Sequence, residues 1–221
     1  MKKKYILAVA ALSIGIYFAF PQSVSDSMVA EAATAACPKP VTVDLPESEP
    51  VEPVEDTVAE PEEDEGGLYR EGLAAYIISV NETVSKEEAD EMVSCMMDQA
   101  EKHQMDEKLI MAVAQTESTY YSEAVSCTDY KGLMQTGDIL AEEAGYTPED
   151  LFDPEISIEV GADYIDTQME TFEDDVILAL TAYNQGPGAV YDGDYSTGYA
   201  VQTIENVENI EIFLQNKGFL Q

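Results

Sequence analysis

The sequence has little positive charge and few residues that bind metals. Ten lysines and arginines stand against 45 aspartates and glutamates, so the formal net charge is −35. This excess argues against nucleic acid or an anionic membrane surface as a partner, because both repel an acidic protein. The one histidine, His103, and three scattered cysteines form no zinc-like cluster, and no nucleophile is indicated beside His103. We expect no metal or other cofactor, and a solvated His103.

The three cysteines are Cys37, Cys95 and Cys127. Export from the cytoplasm would permit disulfides, and Cys95–Cys127 is the only pair inside the predicted folded domain. Two separate buried thiols are the alternative. The sequence leaves both possibilities open.

Tryptophan is absent, and 13 tyrosines carry most of the aromatic surface. The hydrophobic fraction of 45% in 221 residues is sufficient for the packed core of one domain of about 150 residues with extensions. No internal repeat and no run typical of a strand stands out. The sequence therefore predicts a mainly α-helical domain.

The N-terminus, residues 1–36, has the form of a secretory signal. Three lysines precede an apolar run of sixteen residues, 5–20, which is short for a membrane span of about 20 residues. Ala-x-Ala sites end at Ala32 or Ala35. A cleaved signal peptide, a retained anchor and, more weakly, a lipoprotein at Cys37 are the alternatives. All three place the rest of the chain outside the cytoplasm, secreted or anchored at the cell envelope, with membrane contact only through this segment.

Residues 37–67 are predicted to be a linker. Six of the ten prolines and eleven acidic residues fall between Pro38 and Gly67, with one lysine. Such a segment cannot bury enough apolar surface to fold, and its like charges extend it. We expect a spacer in front of a folded domain at 68–221.

Helical patterns fill that domain. Ser85 to Glu88 reads as a capping box, and a methionine-rich stripe behind it is expected in the core. Asp106 is expected to cap a helix that ends near Thr119. Further helices are predicted over 138–144, 157–172, 176–183 (the most buried) and 199–216, with a loop at 191–198.

Glu117 stands out within the helix that Asp106 caps. Leu109, Val113 and Glu117 are spaced i, i+4, i+8, so the carboxyl lies on the apolar face. Most glutamates near a helix end are solvated, but one on this face must point into a core or a cleft. Desolvation and the negative helix end would both raise its pKa. A carboxyl held neutral near physiological pH is what a general acid requires.

Four short segments follow in order around this glutamate. They are Glu117-Ser118, Ala124-Val125-Ser126, Gly132-Leu133-Met134-Gln135 and Ala182-Tyr183-Asn184. Together they resemble the lytic transglycosylases of the soluble (SLT) type, which are related to goose-type lysozyme. The resemblance covers roughly residues 106–207 and implies a mainly helical, lysozyme-like fold.

The resemblance also implies an enzyme that acts on peptidoglycan glycan strands. It would cleave the β-1,4 bond between N-acetylmuramic acid and N-acetylglucosamine without water, leaving a 1,6-anhydro ring. Glu117 would act as general acid and then as base. Some members of the family serve a secretion or conjugation apparatus, which the acidic linker could contact. A hydrolytic muramidase and a non-catalytic wall-binding or secretion-assembly protein are the alternatives.

The family pattern assigns further positions to the substrate site. Ser126, Gln135 and Asn184 would bind sugar groups or the catalytic carboxyl. Tyr183 would hold Glu117. Met134 and the backbone at Gly132 would form the cleft floor, and a side chain at 132 would obstruct the glycan. Tyr199 resembles the tyrosine that comes last in the family's motifs. The plainer readings are Met134 in the core, Ser118 bonded to backbone and Tyr199 as a helix start. The sequence departs from the pattern at Thr136, Ser157, Tyr195 and Ser196.

Overall fold

The structure, a computed structural model, describes residues 65–220, and helices make up almost all of its regular structure. In chain order they are α1 (Glu65–Val80), α2 (Lys86–His103), α3 (Glu107–Ser118), α4 (Asp138–Ala144), a 3₁₀ helix (Pro148–Phe152), α5 (Pro154–Thr171), α6 (Val176–Gln185), α7 (Pro187–Asp192) and α8 (Gly198–Lys217). Two isolated β-bridges join residues of the loop between α3 and α4. The prediction of a mainly helical domain is confirmed.

Two boundaries differ from the predicted ones. Helix α1 starts at Glu65, three residues inside the predicted linker, and its first residue packed against the core is Tyr69. Helix α5 begins earlier than predicted. Helix α5 starts at Pro154 rather than near residue 157. Asp153 accepts a hydrogen bond from the Glu155 N–H, and proline is favoured at the first helical position. The predicted signal or anchor (1–36) and nearly all of the predicted linker lie outside the described residues.

Helix α7 was not predicted. It occupies the first residues of the expected loop at 191–198 and extends N-terminally to Pro187. Proline at its first turn and Gly193 in a left-handed conformation just after its end are ordinary helix start and stop signals. The short helix follows α6 directly, so the two form one corner of the domain.

The core is organised around α3. Six consecutive residues of this helix, 109–114, are buried, since α3 packs against α2, α5 and α8 on different sides. We expected 176–183 to be the most buried helix, which is wrong. Only residues 179–182 of α6 are buried, because the end of that helix faces a cleft rather than the core.

Helix α2 follows its predicted pattern. Ser85 makes both hydrogen bonds of a capping box, and the expected stripe of Ala89, Met92, Val93, Met96 and Ala100 is buried. The methionines therefore belong to the core.

The prediction for His103 is wrong. Its side chain is only 10% exposed and lies between two carboxylates of α5. Nε2 is 2.6 Å from Asp163 Oδ1, and Nδ1 is 2.9 Å from Asp166 Oδ2. The two aspartates share the face of α5 that meets the last turn of α2. His103 therefore joins α2 to α5.

Cys95 and Cys127 are both free thiols. Cys127 is exposed and Cys95 is half-buried, so neither the bridge nor the alternative of two buried thiols is found. Burial, helped by nearby carboxylates, raises the pKa of the Cys95 thiol to about 12. Across residues 65–220, no helix combines the length and the apolar character that a membrane crossing needs.

Gly161 of α5 packs closely against Met134 of the motif Gly132-Leu133-Met134-Gln135. A Cβ at position 161 would lie 2.6 Å from Met134 Cβ, an atom that cannot move without the main chain. We expect Gly161→Ala to lower the free energy of unfolding by about 1–2 kcal/mol, because overpacking outweighs the better helix propensity of alanine. Urea unfolding measures this. Gly188→Ala is the control, since a Cβ there meets nothing within 4 Å, and equal stability of the two variants would contradict the packing argument.

Candidate active site

Glu117 lies in the last turn of α3 and borders an open cleft of about 840 Å³. The helix is fixed at both ends, by Asp106 accepting from the Lys108 N–H and by Thr119 in a left-handed conformation. Leu109 and Val113, on the same face, are buried. The apolar face of α3 leaves the core at the last turn of the helix. The Glu117 carboxyl therefore borders the cleft there, as its spacing along the helix predicts. The cleft has the size of ordinary ligand sites.

Burial raises the pKa of Glu117 above its ordinary value, while a hydrogen bond from Tyr199 lowers it. The Tyr199 hydroxyl donates to Glu117 Oε1 at 2.7 Å. Desolvation is the larger effect, so the carboxyl stays protonated to higher pH than a solvated glutamate. The raised pKa agrees with the sequence-based expectation, and Tyr199 does more than begin α8.

Two tyrosines are packed beside this carboxyl. The rings of Tyr183 and Tyr199 stack at 6.4 Å between centroids with a 12° interplanar angle. Burial and then the Glu117 charge raise the pKa of both phenols, so both remain hydrogen-bond donors. Tyr183 donates to the Met134 carbonyl at 2.8 Å. It therefore links α6 to the motif loop and holds Tyr199 by stacking.

A buried row of polar side chains sets α8 against α3. We call it the polar seam: Gln115 and Thr116 of α3 with Thr203 and Asn206 of α8. Asn206 Nδ2 donates to Thr116 Oγ1 at 2.9 Å, and Gln115 Nε2 donates to Asn206 Oδ1 at 3.3 Å. Thr116 Oγ1 lies 3.3 Å from Thr203 Oγ1. Because buried polar groups must keep their partners, the seam fixes which turn of α8 meets Glu117.

Sequence reasoning missed the seam. Tyr199, Thr203 and Asn206 are spaced i, i+4, i+7 and so share one face of α8. They meet three consecutive residues of α3, ending at Glu117. A search for apolar periodicity passes over such a face, although the polar spacing was the available signal.

Ser126 and Gln135 line the cleft and also shape its loop. Ser126 Oγ accepts from the backbone N–H groups of Thr128 and Tyr130. Gln135 Nε2 donates to the carbonyls of Ala124 at 3.0 Å and Gly132 at 2.9 Å. The loop from α3 to α4 is thus held by the same side chains that face the cleft.

Gly132 and Met134 are both constrained by packing. Met134 is fully buried in the core, as its plainer reading predicted, and its part in substrate binding stays a prediction. Gly132 has a left-handed φ of 74°, and a Cβ there would overlap the Leu151 carbonyl oxygen. A side chain at 132 is therefore already excluded by backbone, and whether it would also obstruct a glycan stays a prediction. Ser157 Oγ accepts from the Met134 N–H at 3.1 Å, which explains one departure from the pattern.

Asn184 is exposed at the end of α6 and lines the cleft. Within residues 65–220 its amide has no hydrogen-bond partner, so it is free to bind a ligand. Ser118, by contrast, donates to the Ala114 carbonyl at 3.1 Å and is satisfied by backbone, as its plainer reading predicted.

Several cleft residues were not predicted. They are Thr128, Asp129, Tyr130, the run 136–140, Tyr164, Gln185 and Gly186. Most flank a predicted motif, so their closeness in sequence was the available signal. Tyr164 is the exception, because it reaches the cleft from α5. Across the described part of the chain, no group of three or more histidine, cysteine or acidic side chains is arranged to hold a metal ion.

Known proteins match the part of the chain that contains this site. Residues 94–199 match the family model described as Transglycosylase SLT domain. The chain is 35% identical over 107 residues to the membrane-bound lytic murein transglycosylase C of Edwardsiella ictaluri, covering 41% of this chain and 30% of that protein. It is 41% identical over 91 residues to the membrane-bound lytic murein transglycosylase F of Maricaulis maris, covering 38% and 20%. The chain thus spans less than a third of the length of these relatives.

A more distant likeness exists among solved structures. The soluble lytic transglycosylase SLT70 of Escherichia coli is 21% identical with a TM-score of 0.46, covering 70% of this chain and 29% of that one. At this distance the likeness has no bearing on the site.

Removal of the Tyr199 hydroxyl tests how burial and the hydrogen bond from Tyr199 together set the pKa of Glu117. We expect Tyr199→Phe to raise the pKa of Glu117, because the variant keeps the burial and loses the hydrogen bond that lowers the pKa. Titration of the Glu117 carboxyl by ¹³C NMR measures the change. An unchanged or lowered pKa would show that the hydroxyl does not stabilise the carboxylate.

Glu117 should cost stability at neutral pH. A carboxyl whose pKa in the folded state is raised stabilises the protein fully below its ordinary pKa of 4.5, and this contribution is lost as pH rises through the folded-state pKa. We therefore expect Glu117→Gln to melt above the wild type at pH 8, and the difference to vanish below pH 4.5. Calorimetry at both pH values checks this, and a variant that is less stable at pH 8 would contradict it.

Proposed function

We propose that this protein is a peptidoglycan lytic transglycosylase, since its residues 94–199 match the family model of the transglycosylase SLT domain. The observation that supports the activity most directly is Glu117 itself. A half-buried carboxyl with a raised pKa borders a cleft of ligand size and accepts a hydrogen bond from a tyrosine. The bond cleaved is the β-1,4 linkage from N-acetylmuramic acid to N-acetylglucosamine, and the product carries a 1,6-anhydro end.

In this mechanism one carboxyl serves twice. Protonated Glu117 donates its proton to the glycosidic oxygen as the bond to the anomeric carbon breaks. The resulting carboxylate then takes the proton of the muramic acid 6-hydroxyl, whose oxygen closes on the anomeric carbon. The proton count is restored and no water is consumed.

The surroundings of Glu117 suit both halves of this cycle. Burial favours the neutral form of the carboxyl, which the first proton transfer needs. The Tyr199 hydroxyl then stabilises the carboxylate, since a hydrogen bond to a charged acceptor is stronger than one to a neutral acceptor.

The other acidic groups of the cleft support a single-acid mechanism. Asp129 and Asp138 line it, but the ammonium group of Lys131 lies 3.3 Å from Asp129 Oδ2 and 2.7 Å from Asp138 Oδ1. Each of these carboxylates therefore already has a cationic partner. Glycosidases that use two carboxyl groups need the second for the nucleophile or to activate water, and neither aspartate is free for that task.

Substrate contacts come from the cleft residues around Glu117. Asn184 offers a free amide, and Ser126 and Gln135 present polar atoms from the loop that crosses the cleft. Tyr183 supports the site through Tyr199 and through the backbone of the motif loop. Gly132 and Met134 contribute by shaping that loop.

The relatives are named membrane-bound or soluble murein transglycosylases, which is consistent with action outside the cytoplasm. The predicted signal or anchor at 1–36 would deliver the domain there. A contact between the acidic segment 37–67 and a secretion or conjugation apparatus stays a prediction.

Digestion of purified peptidoglycan tests the proposal. We expect the full-length protein to release muropeptides with anhydro ends, identified by mass spectrometry. Glu117→Gln should lower product formation by at least about 10²-fold, because it keeps the shape but loses the transferable proton. Glu123→Gln is the matched control, since this exposed glutamate lies in the same loop but not at the cleft, and it should retain full activity.

Other outcomes identify the alternatives. Products heavier by one water, with a reducing end, would make the protein a hydrolytic muramidase. No products from a folded sample would favour a wall-binding or assembly role.

A further inference from the structure

Gln185, the last residue of α6, binds one residue of the segment before α8 twice. Its Nε2 donates to the Ser196 carbonyl at 2.6 Å, and the Ser196 N–H donates to its Oε1 at 3.0 Å. We call this pair of hydrogen bonds the Gln185 clamp. The side-chain amide of Gln185 thus forms two hydrogen bonds with the Ser196 backbone, as a neighbouring strand would. These bonds join the two ends of the segment that contains α7.

The clamp lies next to the start of α8. The first four N–H groups of a helix have no partner within the helix, and Thr197 supplies no side-chain cap here. Ser196 Oγ instead accepts from the Gly198 N–H at 3.3 Å. The position of this first turn therefore depends on Ser196, which Gln185 holds.

Tyr199 is in that same first turn. The polar seam holds α8 from the C-terminal side of Tyr199, at Thr203 and Asn206. The clamp holds it from the N-terminal side. Since helix ends fray unless they are tied down, the hydroxyl that binds Glu117 is fixed between two anchors.

We propose that Gln185 is a positioning residue that sets the acid strength of Glu117 through Ser196 and Tyr199. It binds the chain that carries Tyr199, three residues before it. Loss of the clamp frees the first turn of α8 and lowers the occupancy of the Tyr199–Glu117 hydrogen bond. The rise of the Glu117 pKa that burial causes is then less opposed. The catalytic consequence rests on the proposed function, whereas the link to the Glu117 pKa does not.

A double-mutant cycle on the Glu117 pKa tests the proposal without substrate. The full-length wild type, Gln185→Ala, Tyr199→Phe and the double variant are titrated by ¹³C NMR of the Glu117 carboxyl. We expect Tyr199→Phe to raise the pKa and Gln185→Ala to raise it by a smaller amount. The double variant should match Tyr199→Phe alone, because the clamp acts only through the tyrosine hydroxyl.

Two further variants serve as controls. Gln185→Met keeps the side-chain length but not the amide, so it should shift the pKa as Gln185→Ala does even where the alanine variant folds poorly. Gln202→Ala removes an exposed glutamine of α8 and should leave the pKa unchanged. Faster hydrogen exchange of the Ser196 N–H in both Gln185 variants is the expected local sign of a broken clamp.

Two results would overturn the proposal. One is an unchanged Glu117 pKa when the Ser196 N–H exchanges freely. The other is an added shift from Gln185→Ala in the Tyr199→Phe background, which would mean that Gln185 acts on Glu117 by a separate route. If peptidoglycan is cleaved as proposed, the basic limb of the pH–rate profile should move to higher pH in the same order as the pKa values. If it is not cleaved, the pKa cycle still decides the role of Gln185.

Discussion

The opposition between burial and one hydrogen bond at Glu117 governs the rest of this site. Burial removes water from the carboxyl and favours its neutral form, while the Tyr199 hydroxyl returns part of that lost solvation to the charged form. Neither influence alone favours both protonation states of a group that must lose and regain a proton. The fold must therefore hold a helix end and a tyrosine from a distant part of the chain within 2.7 Å of each other.

Most of the described structure serves that requirement. Helix α3 is fixed by its buried residues 109–114, and α8 is held to it by polar contacts that tolerate one register. Apolar packing alone would let α8 slide or rotate at modest cost, since hydrophobic contact is not directional. Hydrogen bonds between buried amides and hydroxyls are directional, and losing one leaves a costly unpaired group.

The sequence predicted the features that depend on local spacing. Glu117 on an apolar face, the Asp106 and Ser85 caps and the stop at Gly145 all follow from neighbours within a turn or two. Prediction from the sequence failed for the features that depend on which helices and loops pack against each other. His103 becomes an ion-pair partner only because α5 lies beside it, Met134 is buried because Gly161 admits it, and the Tyr199–Glu117 contact joins residues 82 positions apart. The family pattern singled out Gly132 and Met134, and packing constrains both positions in this structure.

The surroundings of Gly132 also bear on how this protein can change by mutation. The group that excludes a side chain at 132 is the main-chain carbonyl of Leu151, which every amino acid at 151 would carry. Genetic selection for second-site suppressors usually finds a smaller neighbouring side chain, and here no such replacement makes room. A substitution at 132 is therefore compensated only by true reversion or by rebuilding the 3₁₀ helix at 148–152. Position 132 consequently does not accept stepwise substitution.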